Sequence, residues 1–391
     1  MEHESQSNLH EEPASNAAIS PASDSEPVPA FESPFTRPPK PPERHFAEWV
    51  FLGSDGLRAG WSIALLLILF ILIGGALGFL ISFLHFNPRT GHVTVRTAFL
   101  GEFSALVALI GAASIVALIE RRSLLDFNLS GPRGTAKFFS GAAAGFLALS
   151  ALVGALGAGG WLRFGSVALS GTDIAKYAAL WGLTFLFVGL FEEGAFRCYL
   201  QFTLTRGINF WWALAIQALV CVTLILRNKG TAAWGIYTIL LLGLLPCLML
   251  HVKRTAHSNF WQAAWVSSTL FGFIHVGNNG ENWIGVFAAA VIGFVFCVSI
   301  RLTGSAWWAI GCHAGWDWAE TYFYGTADSG MVAPGHYLST SPFGNTFWSG
   351  GADGPEGSIL VLAAILLLLI ALLVIYRPRQ KALPQLGSEQ A

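Results

Sequence analysis

Apolar runs of about 20 residues recur along the chain between short polar or basic stretches, and each has the length that an α-helix needs to cross a hydrocarbon core. The clearest are 61–85 (WSIALLLILFILIGGALGFLISFLH) and 358–376 (SILVLAAILLLLIALLVIY). Further spans are predicted near 97–120, 137–159, 177–200, 208–226, 231–251, 260–276, 283–302 and 305–323. The pattern predicts an all-α fold: a polytopic membrane helical bundle of about ten transmembrane helices over 58–376. Gly141 and Gly145 stand in GxxxG register within 137–159, which predicts close helix packing there. Trp61, Trp211, Trp212, Trp283, Trp307 and Trp308 fall near span ends, as an interfacial belt requires.

Composition supports the membrane reading. Hydrophobic residues make up 54% of the chain and charged residues 12%, about half the charged share of a soluble domain. Residues 1–45 differ: they hold nine of the 17 prolines and eight acidic residues. Such a segment buries too little apolar surface to offset its ordering entropy, so a disordered tail is expected over 1–45, with a short C-terminal tail over 377–391. No apolar run follows the acidic start, so the first span is expected to act as the insertion signal. Cys198, Cys221, Cys247, Cys297 and Cys312 fall inside predicted spans without a CxxC pair, which suggests neither a disulfide framework nor a thiolate zinc site.

Basic residues give the expected orientation. Arg121, Arg122, Arg133, Lys137, Arg206, Lys253, Arg254 and Arg301 share a side with the basic residues of both tails, which favours N-in and C-in. No Lys or Arg occurs between Arg301 and Arg377. The segment 324–356 within that interval is therefore expected to face outward.

Against this apolar background a few ionisable residues stand out. Glu192 and Glu193 sit in GLTFLFVGLFEEGAFRCYLQF, His275 in TLFGFIHVGNN, and His313 and Asp317 in WWAIGCHAGWDWAE. Charged groups at membrane depth are costly unless they face a cavity or one another. Glu193 and Arg197 are four residues apart and can form an ion pair on one helix face. Glu192 points about 100° away and is left to take a proton from water. His313 and Asp317 also share a helix face, so the carboxylate can orient the imidazole or the two can act as ligands to one ion. The set can activate a water and stabilise an oxyanion, with or without a divalent metal. The HExxH motif of soluble metalloproteases is absent from the sequence.

These segments carry a family resemblance. FEEGAFRCYL resembles the EExxxR motif, Phe271 to His275 the FxxxH motif, and His313 to Asp317 the His-x-x-x-Asn/Asp motif of the CPBP family, which includes type II CAAX prenyl proteases and bacteriocin-processing or immunity-related membrane proteins. The order and spacing match over a protease-like core of 177–323. The resemblance implies a glutamate-dependent intramembrane endopeptidase acting on a peptide or membrane-protein substrate. By it, Glu192 is the water-activating base, His275 and His313 hold a metal or stabilise the oxyanion, and Asp317 supports them. The expected catalytic set is Glu192, Glu193, His275, His313 and Asp317, with Arg197 as the structural ion-pair partner. Two histidines with a glutamate would suit tetrahedral zinc with an open water position, and a metal-free mechanism uses the same residues. The expected setting is the bacterial inner membrane, multi-pass, with no nucleic-acid partner. The same polar cavity would also serve an ion-coupled transporter or a non-catalytic immunity or scaffold protein.

Overall fold

The computed structural model describes residues 45–53, 56–84, 94–227, 233–253, 257–278, 280–328 and 330–376. Apart from His45, the tails expected over 1–45 and 377–391 lie outside the described residues. In chain order the α-helices are α1 Phe46–Phe51, α2 Ala59–Phe83, α3 Val95–Ile119, α4 Gly134–Ala158, α5 Thr172–Glu193, α6 Gln201–Gly207, α7 Phe210–Arg227, α8 Ala233–Lys253, α9 Ser258–His275, α10 Trp283–Thr303, α11 Trp307–Asp317, α12 Thr346–Ser349 and α13 Val361–Ile375. The strands are β1 Leu52–Gly53, β2 Gly56–Leu57, β3 Leu162–Val167 and β4 Leu338–Pro342. α5 runs into α6 through a π-helical turn, Gly194–Leu200, and α11 ends in another, Trp318–Tyr324.

The predicted apolar runs are helical. Among the described residues five helical stretches are long and apolar enough to cross a membrane: α2, α3, α4, the continuous Thr172–Gly207 and α10. Shorter apolar helices lie at Phe210–Leu224, Gly243–Lys253 and Val361–Ile375. A helix satisfies its own backbone groups, which the hydrocarbon cannot do. α2 leaves Leu67, Ile68, Ile71, Leu72 and Phe79 exposed, the continuous apolar face that lipid covers and water does not tolerate.

The fold is mostly helical, and two features correct the all-α expectation. β1 pairs with β2 and β3 with β4, each antiparallel; the latter aligns Leu162 with Pro342 and Phe164 with Thr340. Residues 324–356, expected only as a connecting loop, thus hold β4, α12 and a 3-10 turn at Pro355–Gly357. Arg163 stacks on Phe343 at 3.5 Å from the ring centroid and fixes this segment over the α4–α5 connection. A third correction concerns the tryptophan belt: Trp308 is buried in the core against Phe296, because its helix is packed on all sides.

The most extensive helix contact, α4 against α11, is made by glycines on both sides. A Cβ at Gly141 or Gly145 would overlap the backbone of Trp308 or Cys312, and one at Gly311 or Gly315 would overlap that of Phe138 or Ala142. The two backbones therefore touch without an intervening side-chain layer, as small-residue packing in membranes permits. On α5, Gly189 packs in the same way against the carbonyl of Ile310. The helix of His313 is thus held between α4 and the helix of the two glutamates.

Candidate active site

Glu192 and Glu193 close α5, where the helix widens into the π-helical turn that holds Arg197; such turns are common at functional sites. The turn is stabilised from outside, since the Asn128 side-chain amide donates to the Arg197 carbonyl at 2.8 Å. Glu193 and Arg197 are both fully buried, with Arg197 Nε 3.1 Å from Glu193 Oε2. The guanidinium lies 4.1 Å over the Phe271 ring. Gly293 on α10 makes room for it, because a Cβ there would collide with a guanidinium nitrogen.

His313 links this pair to the rest of the site. Its Nδ1 is 2.9 Å from Glu193 Oε1. A carboxylate paired with Arg197 accepts only, so Nδ1 carries the proton. Nε2 stands 3.4 Å from Asp317 Oδ2 and 3.8 Å from Glu192 Oε2. The imidazole is packed against the rings of Phe271 and Phe296.

His275 ends α9, and its Nδ1 is 2.7 Å from the Phe271 carbonyl one turn back, which fixes the ring and leaves Nε2 available. α9 is itself tied down: Ser267 donates to Gln201 Oε1 at 2.9 Å, and Gly272 seats the helix against Val286 and Ala290 of α10.

Glu192, His275, His313 and Asp317 line one cavity of about 240 Å³, bounded by apolar residues of α3, α5, α10 and α13. Glu193 does not line it. It lies behind the wall, where it contacts the cavity only through His313. Three acidic lining residues were not singled out from the sequence: Glu102 of α3, Asp328 and Glu356. Glu102 was detectable by the rule that flagged Glu192, being a carboxylate in an apolar run. Asp328 and Glu356 lie in a loop, where acids are ordinary, and only the tertiary fold brings them in.

The donor chemistry suits zinc, but the placement does not. Among the described residues, the donor atoms that come within 4.8 Å of one another in a group of three belong to Glu320, Asp328 and Glu356, and not to the histidines. As placed, Glu192, His275, His313 and Asp317 line one cavity without forming such a three-donor group among the described residues.

A helical bundle with several membrane-crossing stretches thus places Glu192, two histidines and Asp317 on one interior cavity. The family model described as type II CAAX prenyl endopeptidase Rce1-like matches residues 174–256 and 247–319, which include every residue of the constellation. The match covers residues 174–319, a little over a third of the chain, and shows similarity to that family over the segment that holds the constellation. No curated protein and no solved structure matches the chain.

Proposed function

We propose that this protein is a glutamate-dependent intramembrane endopeptidase in which Glu192 is the general base. The observation that carries the reading is that the half-buried carboxylate of the pair, Glu192, both histidines and Asp317 line one cavity, while Glu193 is withdrawn into an ion pair. Glu192 takes a proton from water as the oxygen attacks the scissile carbonyl, and returns it to the leaving amine. His275 and His313 act as imidazoliums: His275 gives Nδ1–H to the Phe271 carbonyl and His313 gives Nδ1–H to Glu193, and each donates Nε2–H to the oxyanion that forms, in a site where low polarity strengthens each bond. Glu193 and Asp317 are positioning residues: Glu193 accepts from His313 Nδ1, and Asp317, 3.4 Å from Nε2, balances the charge of the ring. The substrate is a peptide or a membrane-protein segment that can reach the bundle interior. In the membrane the chain would span about ten times with both ends on the cytoplasmic side of a bacterial inner membrane.

The test uses the full chain in detergent with a quenched peptide library. Glu192→Gln should abolish cleavage and leave the melting temperature within about 2 °C of wild type, since the shape is kept. Cleavage by Glu192→Gln at the wild-type rate would end the reading. Cleavage that stops in excess chelator and returns with Zn²⁺ would replace the donor role of His275 and His313 by a ligand role.

A further inference from the structure

Three carboxylates outside the proposed catalytic set meet at the loop end of the cavity. Glu320 comes from the π-helical end of α11, Asp328 from the loop that follows, and Glu356 from the 3-10 turn before α13. One oxygen of each lies within 4.8 Å of the others. Two neutral donors hold the arrangement: Trp316 Nε1 donates to Glu320 Oε2 at 3.1 Å and to Glu356 Oε1 at 2.8 Å, and the Thr321 hydroxyl donates to Asp328 Oδ2 at 2.8 Å.

Neither donor neutralises charge. Glu320 is fully buried, and its second oxygen, Oε1, has no hydrogen-bond partner. Asp353, three residues before Glu356, is also fully buried, with Oδ1 unpartnered. Glu281 and Asp317 add negative charge around the group. The sequence supplies no Lys or Arg from 302 to 376 to balance it. Glu320 and Asp353, buried with one unpartnered oxygen each beside the half-buried Asp328 and Glu356, carry a cost that either protons or a cation must relieve.

We propose that Glu320, Asp328 and Glu356 form a binding site for a hard divalent cation, calcium in preference. The donors are all oxygen, which selects calcium, magnesium or manganese over zinc. Three carboxylates with donor atoms within 4.8 Å of one another suit the flexible, carboxylate-rich sphere of calcium better than the strict, largely hydrated octahedron of magnesium. Trp316 and Thr321 then act as the outer shell that orients the ligands. The three ligands come from segments separated in sequence, so the ion would clamp the end of α11 to the loop and to the start of α13. Asp328 and Glu356 line the same cavity, but none of the three ligands is a residue to which turnover is assigned, so calcium binding can be measured in the inactive Glu192→Gln protein.

The test is calcium binding by the full chain in detergent after exhaustive chelation. Equilibrium dialysis with ⁴⁵Ca²⁺ should give one ion per chain, with a Kd of about 10⁻⁴–10⁻³ M, the range of modules that face millimolar calcium. About 10 mM Ca²⁺ should raise the melting temperature by roughly 4 °C over NaCl of equal ionic strength, and Mg²⁺ should do less. Glu356→Gln and Glu320→Gln should lose both effects, whereas Glu192→Gln should keep them even though it is inactive. If a variant does not fold, the wild-type isotherm decides. Absence of saturable calcium binding, or Ca²⁺ and NaCl giving equal shifts, overturns the proposal. So does a Glu320→Gln protein that is more stable than wild type in calcium-free buffer and still takes up one ion. That result would mean that the cluster is held by shared protons and the ion lies elsewhere.

Discussion

Removing Arg197 tests the electrostatic core of the site. The Arg197→Ala change strands a fully buried Glu193 whose remaining charged neighbour is His313, and breaking a buried pair from one side costs about 3–5 kcal/mol. It also removes the contact with Phe271 at 4.1 Å, a desolvated cation–π interaction worth about 2 kcal/mol. The two costs share one side chain and are not additive, so a loss of about 4 kcal/mol is expected. Arg197→Lys keeps the charge but loses the flat guanidinium wedged between Phe271 and Gly293, and should cost about 1–2 kcal/mol. The decisive variant is Glu193→Gln combined with Arg197→Met. It removes both charges and fills the space, so it should recover most of the stability lost in Arg197→Ala. The assay is reversible unfolding in mixed micelles followed by tryptophan fluorescence. The double variant being as unstable as the sum of the two single changes would refute the argument, as would a cost below about 1 kcal/mol for Arg197→Ala.

Other outcomes follow from the same geometry. Glu192→Gln should lower the cleavage rate by about 10²–10⁴-fold with normal folding, measured as initial rates on a quenched peptide. Gly145→Leu should destabilise by about 3 kcal/mol or more, because its Cβ meets the Cys312 carbonyl and backbone cannot step aside. Gly154→Leu on the same helix, with nothing within 4 Å, should be tolerated; comparable melting temperatures for the two would count against close packing. Burial, and then the Asp353 charge, push the Glu281 carboxyl up to about 8. The folded state therefore holds this proton more tightly than the unfolded chain, and the stability it contributes is present below the usual carboxylate range and is lost as pH rises to about 8. In calcium-free buffer Glu281→Gln should flatten the fall in melting temperature over that interval, and an unchanged pH profile would remove Glu281 as its source.

Much of the site was legible because charge in an apolar run is a strong local signal. Glu192, Glu193, His275, His313 and Asp317 all announce themselves against long stretches of Leu, Phe and Ala. Arg197 was found through its spacing from Glu193. Glu102 obeys the same rule but has no partner three or four residues away, so nothing marked it as part of a constellation. Asp328 and Glu356 were not legible, since their meaning depends on β4 pairing with β3 and folding the loop back over the bundle. That pairing joins residues more than 170 apart, and no short-range pattern specifies it. The glycine register on α4 was visible at Gly141 and Gly145, but its partner was not. Gly311 and Gly315 only become informative once α11 is known to lie against α4.

The glycine seam has a consequence for how a substrate reaches the site. Two helices separated by side chains can shear past each other as rotamers change, because the side chains act as a deformable layer. Between α4 and α11 that layer is missing, and backbone meets backbone at four glycine positions. The wall that carries His313 and Asp317 is therefore the stiff side of the cavity, and Gly189 extends the stiffness toward Glu192. Any opening large enough for a peptide is expected at the α3 wall, which meets the cavity through side chains, since Gly272 seats α9 tightly on α10. If the site works as proposed, His313 and Asp317 ride on a wall set by glycine contacts, while the facing α3 wall is built of larger side chains.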